Sequence, residues 1–223
     1  GRELPSTLME MSAEIGNKSH PRPENASVRF VVQHPLVERN RHVEDLYQIL
    51  LESSPAKEPI FIATAYFAPS KRIRESIIEH AKLGGEVIVL TNSLESNNHP
   101  ILSVAANFAA LEIMEATANF QLYEWISRPD DGEETMHQKL ASFGTNGPVI
   151  VGSFNLDAQS ALHNTESVVL IDEPGFRDSI DRLTRYYLSP ICSNRVLRAD
   201  LETKPMLNRI HSFLTHELAW YWL

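Results

Sequence analysis

The 223-residue sequence holds a single cysteine, Cys192, so no internal disulfide framework can staple it. It has no uninterrupted apolar run approaching the roughly 18–20 residues that a bilayer-crossing helix needs. The first 26 residues lack an apolar centre, and with it the pattern of a secretory signal. Basic residues are scarce as well: 20 Lys and Arg stand against 29 Asp and Glu, a formal net charge of −9. The molecule as a whole should therefore repel nucleic acid and anionic lipid surfaces, although a local basic pocket can still hold a phosphate. No Met stands at position 1, which suggests a piece of something longer. What is present is the composition of an ordinary soluble protein, 43% hydrophobic, and a chain long enough to bury a proper core.

Residues 1–26 are rich in Pro, Ser, Asn and charge (Pro5, Pro21, Pro23, Asn17, Asn25) and read as a linker or arm. From Ser27 strand and helix patterns alternate. Val28 to Val32 has the β-branched and aromatic density of a strand, and residues 42–53 carry apolar positions at helical spacing. Residues 60–67 are apolar nearly throughout, as a strand covered on both faces would be. Ser70 is placed to N-cap a helix bearing Ile73, Ile77 and Ala81, which Gly84-Gly85 ends. Further strands are expected at 87–90, 120–125 and 167–171, helices at 101–118 and 176–188, and a hairpin-like pair over 136–155. The pattern predicts an α/β domain over 27–190, a mixed, mostly parallel sheet with helices on both faces. Residues 191–223 are expected to form a C-terminal extension whose end, 210–223, is apolar and aromatic. That tail reads as docked on protein rather than as an interfacial anchor, because it lacks a Lys/Arg-rich face.

The chemistry concentrates in Met136-His137-Gln138-Lys139-Leu140-Ala141-Ser142-Phe143 and Gly152-Ser153-Phe154-Asn155, joined through Gly144-Thr145-Asn146-Gly147. Side chains alternate along a strand, so His137 and Lys139 are expected on one face, and Ser153 and Asn155 on one face of the return strand. Asn146-Gly147 is a hairpin signal that would lay the two strands side by side. A nucleophile or base, a fixed cation, a hydroxyl and an amide would then share one surface. That set suits a phosphate diester, with Lys139, Ser153 and Asn155 binding its oxygens.

These residues resemble the HxK…GSxN signature of the phospholipase D superfamily. The continuation from Leu156 to Glu166, Tyr66-Phe67-Ala68-Pro69 and Leu122-Tyr123-Glu124-Trp125 extend the likeness toward its bacterial cardiolipin synthase-like branch, over roughly residues 28–190. The resemblance implies a two-step mechanism in which His137 attacks phosphorus and a second histidine protonates the leaving alcohol. It implies that Glu166 orients the histidine ring, that phospholipid is the substrate, and that neither metal nor cofactor is required. Complete enzymes of this kind carry two such motifs, and no second His-x-Lys occurs here. The missing N-terminal half, or a second copy of the chain, is the expected partner. The parent is expected to be peripheral to a bacterial membrane, and nucleic acid is a disfavoured ligand. A single-motif homodimeric nuclease and a non-catalytic module of the same fold are the alternative readings.

Two departures stand out. Gly144 occupies the position of the motif's Asp, at the expected turn and away from the reacting face. The helix over 101–118 carries Ser103, Val104, Ala105, Ala106, Ala109 and Ala110 where the branch has aromatic and basic residues, which removes the ground for substrate contacts there. His20, His34, His42, His80, His99, His211 and His216 read as surface or capping residues, and His163 as part of the turn after the motif. Cys192 reads as a packed thiol. Arg195, Arg198, Lys204 and Arg209 are diluted by Asp200 and Glu202 and read as a solvated face.

Overall fold

The structure is a computed structural model describing residues 26–127 and 135–203. The N-terminal arm up to residue 25, residues 128–134 and the apolar C-terminal tail lie outside the described residues, as do His20, Lys204, Arg209, His211 and His216. The first half of the fold is β1 (Ser27–Gln33), α1 (Pro35–Glu38), α2 (His42–Ser53), β2 (Ile60–Thr64), α3 (Lys71–Lys82), β3 (Val87–Asn92), α4 (Pro100–Ala116) and β4 (Phe120–Trp125). The second half is β5 (Lys139–Phe143), β6 (Val149–Gly152), α5 (Ala158–Leu162), β7 (Glu166–Asp172), α6 (Pro174–Tyr187), β8 (Ser193–Val196) and α7 (Arg198–Glu202).

The eight strands among the described residues form one sheet in the order β1-β7-β6-β5-β2-β3-β4-β8. The α/β class and the mixed sheet are as expected, but the parallel majority is not. Only β2–β3 and β3–β4 run parallel, and the other five pairings are antiparallel. The reason is connectivity: helical crossovers α3 and α4 force their flanking strands parallel, whereas a short loop such as 144–148 can only return antiparallel. Residues 193–196, assigned from sequence to the extension, form the outermost strand of this same sheet beside β4.

One face of the sheet is covered by α2, α3 and α4. Val43, Tyr47 and Leu51, Ile73 and Ile77, and Ala109, Ala110 and Ile113 pack there on Ile60, Ile62, Val87, Val89, Leu122 and Phe143. The opposite face packs Phe61, Ala63, Leu140 and Val149 against Ile180 and Phe176 of α6. Each fully buried Leu, Ile or Val stabilises the fold by about 1.5–3 kcal/mol. The small residues of α4 have a structural use: Ala105, Ala106, Ala109 and Ala110 are all buried, so this helix lies close on the sheet. Helix entries follow the sequence signals. Ser70 Oγ accepts from the Ile73 N–H at 3.4 Å, and the Glu173 carboxylate caps α6 at Gly175 and Phe176.

Among the histidines, His34 and His99 stand at the N-caps of α1 and α4, and His42 opens α2. His80 departs from the surface reading: it is buried, with Nε2 2.8 Å from the Glu58 carbonyl oxygen. Cys192 is buried as expected, and Arg198 pairs in solvent with Glu202.

Candidate active site

The strand directions bring the C-terminal ends of β2, β3, β4 and β6 together with the N-terminal ends of β5 and β7, and the motif residues gather at this end of the sheet. Lys139 is the first residue of β5 and pairs with Thr64, the last residue of β2. His137 lies two residues before the strand begins, so alternation along a strand does not orient it, contrary to the sequence reading. Its side chain is exposed and makes no hydrogen bond among the described residues. Lys139 is half-buried, and its Nζ donates to the His137 carbonyl at 3.2 Å.

The return strand also ends earlier than expected, at Gly152. Gly152 pairs with Val168 of β7, and a Cβ added to it would stand 2.2 Å from the Ser167 carbonyl oxygen and 2.7 Å from Val168 Cα. The glycine of the motif is thus demanded by the close approach of β7. Ser153 sits beyond the strand, its N–H bonded to the Ser167 carbonyl at 2.9 Å. Its hydroxyl donates to Glu166 Oε2 and accepts the Ser167 N–H at 3.0 Å.

Glu166 is buried at the start of β7, and its other oxygen accepts from Asn164 Nδ2 at 3.3 Å. No hydrogen bond joins it to His137; the structure places this carboxylate on Ser153 instead. Asn155 is buried outside any strand, so it shares no strand face with Ser153. Its backbone N–H donates to Ser160 Oγ at 3.2 Å, and its amide oxygen has no partner among the described residues.

Two further residues at this end carry no motif label. Thr64 Oγ1 accepts the Leu156 N–H at 3.2 Å, and the Ala68 N–H donates to the Leu156 carbonyl at 2.7 Å, so the segment after Ser153 is pinned to the end of β2. Asp157 N-caps α5 through the Ser160 N–H at 2.7 Å and is only 5% exposed. An Asp one residue before a short helix reads from sequence as a cap; its burial beside Glu166 and Lys139 is a tertiary fact.

The electrostatics are those of a small, partly dry charge cluster. Burial pushes the Asp157 carboxyl up to about 6, with the Glu166 charge adding to the rise and Lys139 opposing it. Burial lowers the Lys139 ammonium from its ordinary value, and Glu166 and Asp157 pull it back up. His137 is lowered by partial loss of solvent and then by the Lys139 charge, so the imidazole is neutral, with a free lone pair, near neutral pH. Among the described residues no group of three or more His, Cys, Asp or Glu is arranged to hold a metal ion.

Gly144 lies at the far end of β5 from Lys139, about five residue steps or roughly 17 Å away. It takes a left-handed φ of 70°, and its N–H donates to the Pro59 carbonyl at 2.9 Å. The hairpin loop therefore turns on Gly144, with Phe143 N–H closing it onto Pro148 O at 3.1 Å. A Cβ at Gly144 would meet nothing nearer than 3.7 Å, so the motif Asp fits sterically but in an unfavourable backbone region and close to Glu58. Gly144→Asp is expected to destabilise the chain by about 1 kcal/mol in urea unfolding, with any catalytic rate unchanged. A large rate change without a stability change would contradict the placement of this position away from the site.

Residues 50–188 match the family model described as "Cardiolipin synthase, PLD-like domain". Cardiolipin synthase C of Escherichia coli K12 is 27% identical over 137 residues, covering 56% of this chain and 28% of that protein. The chain spans only about a quarter of the length of the curated relatives it matches first. In fold it resembles the phospholipase D family member Nuc from Salmonella typhimurium, with a TM-score of 0.58 and 20% identity, covering 77% of this chain and 99% of that one. It also resembles phosphatidylserine synthase of Haemophilus influenzae, with a TM-score of 0.64 and 12% identity, covering 96% of this chain and 51% of that one. With more than half of its residues inside the family model, the chain belongs to the cardiolipin synthase PLD-like domain family of the phospholipase D superfamily.

Proposed function

We propose that this chain is the C-terminal half of a phospholipase D-like phosphodiesterase or phosphatidyltransferase that acts on phospholipids and is completed by a second half. The observation that carries this reading is the neutral, exposed His137 two residues from a half-buried Lys139, with Ser153, Asn155, Glu166 and Asp157 at the same end of the sheet. Coverage of about half of the phosphatidylserine synthase chain supports the half-enzyme reading.

In the first step His137 attacks phosphorus. The P–N bond forms as the bond to the leaving alcohol breaks, and a histidine of the second half donates a proton to the departing oxygen. In the second step water or an acceptor alcohol, deprotonated by that histidine, attacks phosphorus and releases His137. Lys139 neutralises the non-bridging oxygens, and the Asn155 carboxamide donates to them through Nδ2. Ser153 moves its hydroxyl from Glu166 to a phosphate oxygen, and Glu166, so released, takes the imidazole N–H of His137. Diester binding and ring orientation are thereby coupled.

The near-complete coverage of Nuc favours one alternative, a homodimer of single-motif chains acting on nucleic acid. The net charge of −9 weighs against it. The test is a metal-free assay on phosphatidylglycerol vesicles and on single-stranded DNA, using the 223-residue chain at concentrations where light scattering shows a dimer, and the longer parent. Lipid turnover that falls about 1,000-fold or more in His137→Ala is the expected result. DNA cleavage without lipid turnover would replace this reading by the nuclease one, and an unaffected His137→Ala would remove the site from the chemistry.

A further inference from the structure

His137 is the residue on which the proposed function rests, yet locally only the Lys139 Nζ reaches it, and that bond goes to its carbonyl rather than to its ring. β5 starts only at Lys139, so residues 135–138 carry no strand ladder, and the imidazole itself makes no hydrogen bond among the described residues. The direction of the ring is therefore governed by the backbone that carries it. That backbone is gripped one residue earlier by a side chain 44 positions upstream in sequence.

Asn92, the last residue of β3, is 1% exposed. Its Oδ1 accepts the Met136 N–H at 3.0 Å and the Ser96 hydroxyl at 3.1 Å. Its Nδ2 donates to the Met136 carbonyl at 2.8 Å and to the Ala65 carbonyl at 3.0 Å. Two donated and two accepted bonds exhaust what a carboxamide can make, so only one orientation of the amide satisfies all four. Ser96 is itself held, its oxygen accepting the Ser93 N–H at 2.9 Å.

We infer that Asn92 is a positioning residue for His137: its carboxamide replaces the strand partner that β5 lacks at Met136 and ties the histidine-bearing segment to the ends of β2 and β3. The neighbouring β3 residues Val87, Val89 and Leu90 are buried and apolar, which is what stability alone asks of a central strand. A fully buried amide is tolerated only when every bond is made, and here two of the four go to the residue before His137. The clamp acts on backbone groups; the buried Met136 side chain holds the segment separately, its Sδ accepting the Gln138 N–H at 3.2 Å. The inference rests on the proposed role of His137 but can be tested without turnover.

The experiment follows the Cε1 proton exchange of each histidine against pH by mass spectrometry, together with backbone amide exchange, in the 223-residue chain and in Asn92→Ala. Partial loss of solvent and the Lys139 charge hold the His137 midpoint below the ordinary imidazole value. In Asn92→Ala that midpoint is expected to rise toward about 6.5, with Met136 amide exchange faster by about tenfold or more. Should Asn92→Ala fail to fold, Ser96→Ala, which removes the bond that orients the amide together with the Ser96 contact to Ser93, must give a smaller shift in the same direction. An unchanged His137 midpoint despite faster Met136 exchange, in either variant, overturns the inference. A shifted midpoint in this chain, beside a longer parent that never turns over phospholipid, would sink the proposed function and leave the clamp standing.

Discussion

Gly152→Ala is expected to destabilise the chain by about 3 kcal/mol or more, one of the largest effects of any single methyl group added to this fold. The added Cβ would stand 2.2 Å from the Ser167 carbonyl oxygen, 2.7 Å from Val168 Cα and 2.8 Å from a Val168 methyl. Two of these three atoms are backbone, so no rotamer change relieves the overlap, and β6 must part from β7. The break falls where Ser153 bonds Ser167 and Glu166, so the site loses its geometry along with the ladder. For a chain of this size the corresponding loss in Tm is about 6–12 °C. Urea unfolding of Gly152→Ala beside Ser153→Ala separates the two consequences, since the serine variant loses only side-chain bonds. A loss below about 1 kcal/mol in Gly152→Ala would mean that β7 yields readily, and the packing explanation of this glycine would have to be dropped.

Asp157→Asn is expected to act in the opposite direction, raising stability at neutral pH. In the folded chain burial holds the Asp157 carboxyl protonated up to about 6, against an ordinary value of 3.8. Between those values the native state binds more protons than the unfolded chain, so stability falls as pH rises through this window and stays lower above it. That rise in the Asp157 pKa corresponds to at most about 3 kcal/mol. Asn keeps the oxygen that caps α5 at Ser160 while removing the charge, at the cost of an amide N–H that needs an acceptor. The variant should therefore show a flatter stability profile between pH 4 and 6, and a net gain of about 1–3 kcal/mol at pH 7. Chemical unfolding at pH 4.5 and 7 measures both. A wild-type profile with no downward slope in that window would show that Asp157 ionises freely and that the buried-cluster description is wrong. A carboxylate that costs stability beside Lys139 and Glu166 fits a site kept for function rather than for folding.

Both predictions touch the segment 152–157, where sequence and structure contribute differently. Periodicity and punctuation set most of the elements in advance. The apolar run at 60–67, the Ser70 cap and the strand at 120–125 all correspond to elements close to where the pattern placed them, because each depends on contacts within a few residues. The gathering of motif residues was legible too, since a hairpin of this length must return the Gly-Ser pair to the start of its first strand. The direction of the strands was not. Whether a strand runs parallel or antiparallel to a neighbour depends on which neighbour it finds, and β5 finds β2, about 80 residues earlier, rather than β4.

The finer arrangement of the site belongs wholly to the tertiary structure. Strand alternation promised His137 and Lys139 on one face, but the ladder stops at Thr64 opposite Lys139, and His137 passes from the rule of the strand to the grip of Asn92. Glu166 turns to Ser153, 13 residues away across β6 and β7, and Asp157 becomes a buried acid that stays protonated up to about 6. The sequence by itself determined which residue types could meet and in what order. Desolvation, register and the completion of hydrogen bonds act between segments far apart in the chain, and they alone decided the partners and the charge of each group.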